Sequence, residues 1–244
     1  MHKTRSILDV SGVGEEMILP SALFRRCLEK AYIHVENGGD YATERREGIL
    51  YIYLEHSVGA TDWKNNFDFP ARPYRKMKEG RWFAHRGFVR VWKSVEKHLS
   101  VMIEDKTLCG IVVVGYSHGA ALAVLCYEYI YFHRPELRDR IVGYAFGCPR
   151  VLWGWGRRAL HRWEHFFVFR NGCDLVTHLP PALLGYRHVG TFVKIGEREG
   201  CHPIDSHRPE HIYRALLLYE GVEERRLLQS ISRGEGFGDT IPSF

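Results

Sequence analysis

Two kinds of hydrophobic pattern alternate along the chain. Short unbroken apolar runs at Gly48–Glu55, Ile111–Val114, Ile141–Phe146 and His165–Arg170 are rich in β-branched and aromatic residues. Runs of that length and composition predict strands, and the most apolar of them strands buried on both faces. Val189–Ile195 reads as a shorter strand of the same kind. Other stretches carry apolar residues at helical spacing instead. Pro20 opens one, with Leu23, Phe24, Cys27, Leu28, Ala31, Tyr32 and Val35 on a single face, and Gly38-Gly39 ends it. His85–Glu104 places Phe88, Val91, Trp92, Val95, Leu99 and Met102 on one face, and Pro209 opens a last helix through Ala215, Leu216, Leu217 and Tyr219. Strands alternating with helices predict an α/β fold in one domain, with a mostly parallel central sheet and helices on both faces. Residues 1–19 read as a loose arm with a short edge strand at Ile7–Val10, and residues 234–244 as a frayed tail. Pro70–Ala84 is basic, contains two prolines and ends in Trp82 and Phe83. It reads equally well as a lid over a site or as a connecting loop.

The chemistry concentrates where the run Ile111–Val114 gives way to a helix of small and apolar residues, Ala120–Tyr127. Between them lies Gly115-Tyr116-Ser117-His118-Gly119, a G-x-S-x-G at a strand-to-helix junction. In that context the pentapeptide predicts a nucleophile elbow, a sharp turn that lifts the Ser117 hydroxyl clear of the chain and aims a helix N-terminus at it. In hydrolases of this design one oxyanion donor comes from the loop after an earlier strand. Ser57, just past the strand Gly48–Glu55, stands where its N–H would serve. Asp174 follows the strand His165–Arg170 in a polar loop, the position of the triad acid. The order Ser…Asp…His leaves His178, His188, His202, His207 and His211 as bases. His178 is too close to Asp174 in sequence, and His188 reads as structural. His207, in the loop entering the last helix, is favoured over His211, one turn inside it. Trp82, Phe83, Leu183, Leu184 and Tyr186 are candidate walls of an acyl pocket.

Composition narrows the remaining classes. The 244 residues are 45% hydrophobic and 26% charged, with a formal charge of +5. Basic residues are scattered in pairs and form no stripe interleaved with aromatics, which argues against nucleic acid. No apolar run reaches membrane-spanning length, and Met1–Ser6 leads into no apolar segment. The six cysteines form no C-x-x-C pair. They are expected to be reduced thiols of a cytoplasmic protein, with Cys109 and Cys126 in the core. Cys201, His202, His207 and His211 lie near one another in sequence, but no carboxylate or third histidine falls at metalloprotease spacing. No metal and no cofactor is expected.

Seven stretches, taken in order, resemble motifs of the class 3 lipases, α/β-hydrolases of the fungal-lipase type. Leu54-Glu55-His56-Ser57 with Asp62-Trp63 resembles the family's F-R-G-T/S leading into D-W, and His85-Arg86-Gly87-Phe88 its H-x-G-F. Gly115–Ala121 resembles the elbow G-H-S-L-G-G-A, and Gly147-Cys148-Pro149-Arg150-Val151 the turn G-x-P-R-V. Asn171–Val176 with Leu179-Pro180-Pro181 resembles N-x-x-D-x-V followed by L-P-P, and Tyr186–Gly190 resembles Y-x-H-V-G. Ser206–Leu216 matches the D-H-S-P-E-N-Y-I-x-A-L segment of bacterial-type members without a gap. The resemblance implies Ser117 as nucleophile, Asp174 as acid and His207 as base, with Ser57 and the His118 N–H forming the oxyanion hole. It implies hydrolysis of lipid esters, with a lipid or ester substrate and transient contact with a lipid interface. A phospholipase, a short-chain esterase, or an inactive binding protein on the same fold are the alternatives. Glu55-His56 in place of Arg-Gly, and Tyr116 and His118 beside the nucleophile, depart from the family pattern.

Overall fold

The computed structural model describes residues 19–35, 39–55, 71–77, 80–154 and 160–232, of which 72–77, 80–82, 160–161 and 224–232 are described by their backbone alone. Apart from Leu19, the expected arm at 1–19 and the tail at 234–244 lie outside the described residues. In chain order the elements are α1 (Pro20–Glu29), β1 (Tyr41–Arg46), β2 (Ile49–Leu54), β3 (Ala71–Met77), β4 (Gly80–His85) and α2 (Arg86–Ile103). They continue with β5 (Gly110–Tyr116), α3 (His118–His133), β6 (Ile141–Phe146), β7 (Leu152–Trp153), β8 (Phe166–Asn171), β9 (Tyr186–Arg187), β10 (Thr191–Ile195) and α4 (Pro209–Ser232).

The larger sheet has the order β1-β2-β5-β6-β8-β10. β1 runs antiparallel to β2, and every other neighbouring pair is parallel. Side-chain alternation divides the core between its two faces. Leu50, Ile52 and Leu54 of β2, Ile111 and Val113 of β5, and Phe166 and Val168 of β8 pack with α2 and α3. Tyr51, Tyr53, Val112, Val114, Phe167 and Phe169 turn the other way, onto α1 and α4. With both faces covered, β2, β5 and β6 are buried along their whole length, which is why their sequences read as unbroken apolar runs. α1 and α4 are also joined directly. The Ser21 N–H donates to Glu220 Oε1 at 2.6 Å and the Ser21 hydroxyl to Glu220 Oε2 at 2.5 Å, so a carboxylate sits on the first turn of α1.

Several sequence expectations are corrected. α1 stops at Glu29 instead of running to Val35, because Ile33 enters a β-bridge with Tyr41, closed by main-chain bonds in both directions (2.8 and 3.2 Å). β1 escaped the pattern reading because its buried Tyr41 and Ala42 are followed by Glu44, Arg45 and Arg46, the charged outer end of an edge strand. Residues 71–77 and 80–85, within the stretch expected to be a lid or a connecting loop, pair as antiparallel strands, β3 against β4. That pair extends through β7 and β9 into a four-stranded antiparallel sheet. β7 and β9 are two residues long, too short to leave a periodic signal. α4 continues past Tyr219 to Ser232. Cys109 is exposed at the entry to β5, whereas Cys126 is buried in α3. Cys173 and Cys201 are joined in a disulfide, which overturns the reduced-thiol expectation for that pair. Among the described residues no helix is long and apolar enough to cross a membrane.

Candidate active site

The site stands at the carboxyl edge of the parallel strands: Ser117 follows β5, Asp174 lies in the turn after β8, and His207 lies between β10 and α4. β5 runs straight into α3, and Ser117 between them holds φ 54° and ψ −116°. A non-glycine residue at such an angle carries about 1–3 kcal/mol of strain, which the surroundings must maintain. They do so on both sides. The Ser117 N–H donates to the Phe146 carbonyl at 2.9 Å, and the Ser117 carbonyl accepts from the N–H groups of Ala120 and Ala121. Gly119 lies so close to the end of β2 that a Cβ there would meet the Leu54 carbonyl oxygen at 2.1 Å and that of Glu55 at 2.5 Å. Although Ser117 caps α3, its hydroxyl makes no capping bond and is left to face the histidine.

Asp174 follows β8 and is fully buried. Its Oδ1 accepts the Val176 N–H at 2.9 Å, and its Oδ2 lies 2.9 Å from His207 Nδ1. His207 ends a 3-10 turn, Asp205–His207, immediately before α4. Its Nε2 lies 2.8 Å from Ser117 Oγ. The three side chains therefore form one hydrogen-bonded row, carboxylate to imidazole to hydroxyl. His211, by contrast, is exposed on α4, and His202 is exposed beside Asp205. Gly147, at φ +57°, follows β6 and makes room for the row. A Cβ on it would lie 2.8 Å from His207 Cε1 and 3.1 Å from Asp174 Oδ2.

The segment that carries His207 is held from several directions. Asn171 Nδ2 donates to the Ser206 carbonyl at 2.9 Å, and the Leu175 N–H donates to the Pro203 carbonyl at 3.1 Å. The Cys173–Cys201 bridge joins the residue before Asp174 to the segment that leads into His207. The Tyr116 hydroxyl donates to the His207 carbonyl at 2.5 Å. Sequence reasoning missed these supports. Asn171 and Tyr116 were visible only as motif positions, and nothing in the spacing of the cysteines marks the bridge.

The remaining candidates are distributed as follows. Ser57 lies outside the described residues; the end of β2, at Leu54 and Glu55, is pressed against Gly119. The main-chain N–H of His118 belongs to the first residue of α3, where helix geometry supplies no intrahelical acceptor. The His118 side chain is buried, edge-on to Phe88 at 5.4 Å, and Phe88 in turn stacks on His85 at 4.1 Å. The imidazole thus occupies core space. Tyr186 is 2% exposed and packs near His85, while Phe83 meets Trp153 edge-on at 5.5 Å. The side chain of Trp82 lies outside the described residues. Leu183 and Leu184 are 98% and 53% exposed, held outward by a short turn whose Leu184 carbonyl accepts from Trp153 Nε1. His188 Nε2 donates to the Thr177 carbonyl at 2.7 Å, and burial pushes its imidazole down to about 4. Among the described residues, His34, Asp40 and Glu55 bring ligand atoms within 4.8 Å of one another. There Asp40 already engages His34 Nδ1 with one oxygen and the Val35 N–H with the other.

A strained serine at a helix N-terminus, a histidine on its hydroxyl and a buried carboxylate behind it can generate a nucleophile and return its proton. Comparison with known proteins points the same way. The family model for the class 3 lipases matches residues 52–184, more than half of the chain. A lipase of Rhizomucor miehei is 28% identical over 152 residues, covering 59% of this chain and 41% of the relative. A secreted mono- and diacylglycerol lipase of Fusarium solani is 23% identical over 157 residues, covering 62% of this chain and 45% of the relative. The chain thus spans less than half the length of either curated relative. The crystal structure of a lipase from Rhizopus microsporus var. chinensis superposes with a TM-score of 0.56 at 20% identity, covering 82% of this chain and 78% of that one. The fold is that of the α/β-hydrolases, and the chain belongs to the class 3 lipase family.

Proposed function

We propose that this protein hydrolyses carboxylic esters of lipids through an acyl-enzyme on Ser117. The observation that carries the reading is the row Asp174 Oδ2, His207 Nδ1 and Nε2, Ser117 Oγ, with both gaps at hydrogen-bond length (2.9 and 2.8 Å). His207 takes the proton of Ser117 as the oxygen attacks the ester carbonyl, and the buried Asp174 carboxylate stabilises the imidazolium that forms. The tetrahedral oxyanion is held by the His118 N–H, with Ser57 as the second donor, and the N-terminal dipole of α3 adds to both. Collapse expels the alcohol, which receives the proton from His207. Water then repeats the sequence against the acyl-enzyme, releasing the acid and restoring the serine.

An acylglycerol is the favoured substrate, since the relative from Fusarium solani is named a secreted mono- and diacylglycerol lipase. Exposed Leu175, Leu183, Leu184 and Ile204 support transient contact with a lipid interface. Leu175, next to Asp174, donates its N–H to the Pro203 carbonyl, beside Ile204, so these two exposed side chains lie near the triad. The test is covalent labelling with a fluorophosphonate, followed by peptide mapping. The adduct is expected on Ser117 and absent from Ser117→Ala. An unlabelled wild type would leave only a binding protein on this fold. Esters of rising chain length, offered as monomers and as emulsions, would separate a lipase from a short-chain esterase, and phospholipid vesicles would reveal a phospholipase.

A further inference from the structure

The elbow carries a second side chain aimed at the triad. Tyr116 precedes the nucleophile, yet its hydroxyl reaches the main-chain oxygen of the base, His207, at 2.5 Å across 91 residues of sequence. Its ring lies against the imidazole, with centroids 5.3 Å apart and planes tilted by 32°. The phenol is itself buttressed. Phe24 of α1 meets it edge-on at 5.4 Å, and α1 is fastened to α4 by the Ser21–Glu220 bonds. Burial, with Asp174 and Glu210 nearby, raises the phenol well above its usual value, so it stays a donor at any working pH.

We propose that Tyr116 is a positioning residue for catalysis: by tethering the backbone of His207 to the same strand end that presents Ser117, it fixes the imidazole between hydroxyl and carboxylate. The role rests on the triad reading above. The reasoning is geometric. His207 lies between β10 and α4, 91 residues beyond Tyr116 in sequence, and its side chain must hold two bonds at once. A loop free to shift by an ångström would break one of them, and misplacement of that size costs about a hundredfold in rate. A bond to the backbone of His207 restrains its position without consuming either ring nitrogen. The tether depends on α1, which precedes the matched residues 52–184, and on His207, which follows them.

Tyr116→Phe removes the hydroxyl and keeps the ring. The variant is expected to lower kcat about tenfold while KM changes less than about twofold, because the lost bond orients the base and does not touch substrate. A second readout needs no substrate. In the proton NMR spectrum the Nδ1 proton of His207, bonded to Asp174, should broaden and exchange faster with water in the variant. A phenol that merely packs would shift Tm and leave both observations as they are in the wild type. An unchanged kcat in an active enzyme, or an unmoved Nδ1 resonance, overturns the tether. The resonance decides even if the wild type takes no fluorophosphonate and hydrolyses no ester, so the tether and the hydrolase reading fail separately.

Discussion

The two halves of the site are built by different means. The nucleophile half is local and steric: β5, Ser117 and α3 are consecutive, and Gly119 presses the helix onto the end of β2 with no space for a side chain. The base half is assembled over long distances in sequence. His207 is placed by a tyrosine 91 residues away, and its loop is joined to the acid loop by the Asn171–Ser206 bond and the Cys173–Cys201 bridge. Steric construction of the first kind confines the serine to one conformation. Construction by separate bonds lets each support be removed singly, so the base half is where activity and stability come apart.

Short of removing the serine or the histidine itself, the largest expected effect lies on the base half. Asp174→Asn keeps an acceptor for Val176 but forces the wrong tautomer on His207, so kcat should fall about ten-thousandfold with little change in KM. Next comes a matched pair of glycine substitutions. Gly119→Ala drives a methyl into the Leu54 backbone and should cost about 4 kcal/mol or more of stability, read as a loss of folded protein in urea titration. Gly147→Ala meets the movable imidazole instead, so about a hundredfold should go from kcat with a smaller stability loss. If both variants unfold equally, the contrast between the halves is wrong. Removing the bridge with Cys173→Ser and Cys201→Ser should cost about 2–4 kcal/mol in the urea midpoint, with a few-fold loss of kcat.

The smallest effect is a pH dependence beside the acid loop. His188 is held neutral in the fold by burial, its value pushed down to about 4, against about 6.5 in the unfolded chain. Between those values the unfolded chain binds a proton that the native state does not. Its contribution is therefore complete above pH 6.5 and declines as the pH falls towards 4. His188→Gln should flatten the urea midpoint against pH within that window, and an unchanged slope would place the acid sensitivity elsewhere.

The same contrast explains what the sequence revealed. The elbow was legible because its steric rules act on adjacent residues: an apolar strand, two glycines and small helix residues can do little else. Asp174 and the choice of His207 over His211 followed from chain order and loop position. The supports of the base were not legible, because a tyrosine donating to a carbonyl or a bridge between distant loops leaves no local pattern. The second sheet was hidden for a related reason. β7 and β9 are two residues each, fixed by pairing with β4 and with one another, and pairing is a property of the fold and not of either segment.

The central claim is that Ser117, His207 and Asp174 act as one unit, and a double-mutant cycle tests it most directly. The measurement is kcat for a p-nitrophenyl ester in Ser117→Ala, His207→Ala and the double variant. Each single substitution should abolish nearly all activity above the residual rate of the oxyanion site, and the double variant should be no slower than either. Losses that multiply in the double variant would show two independent groups, and the triad would not be the catalyst.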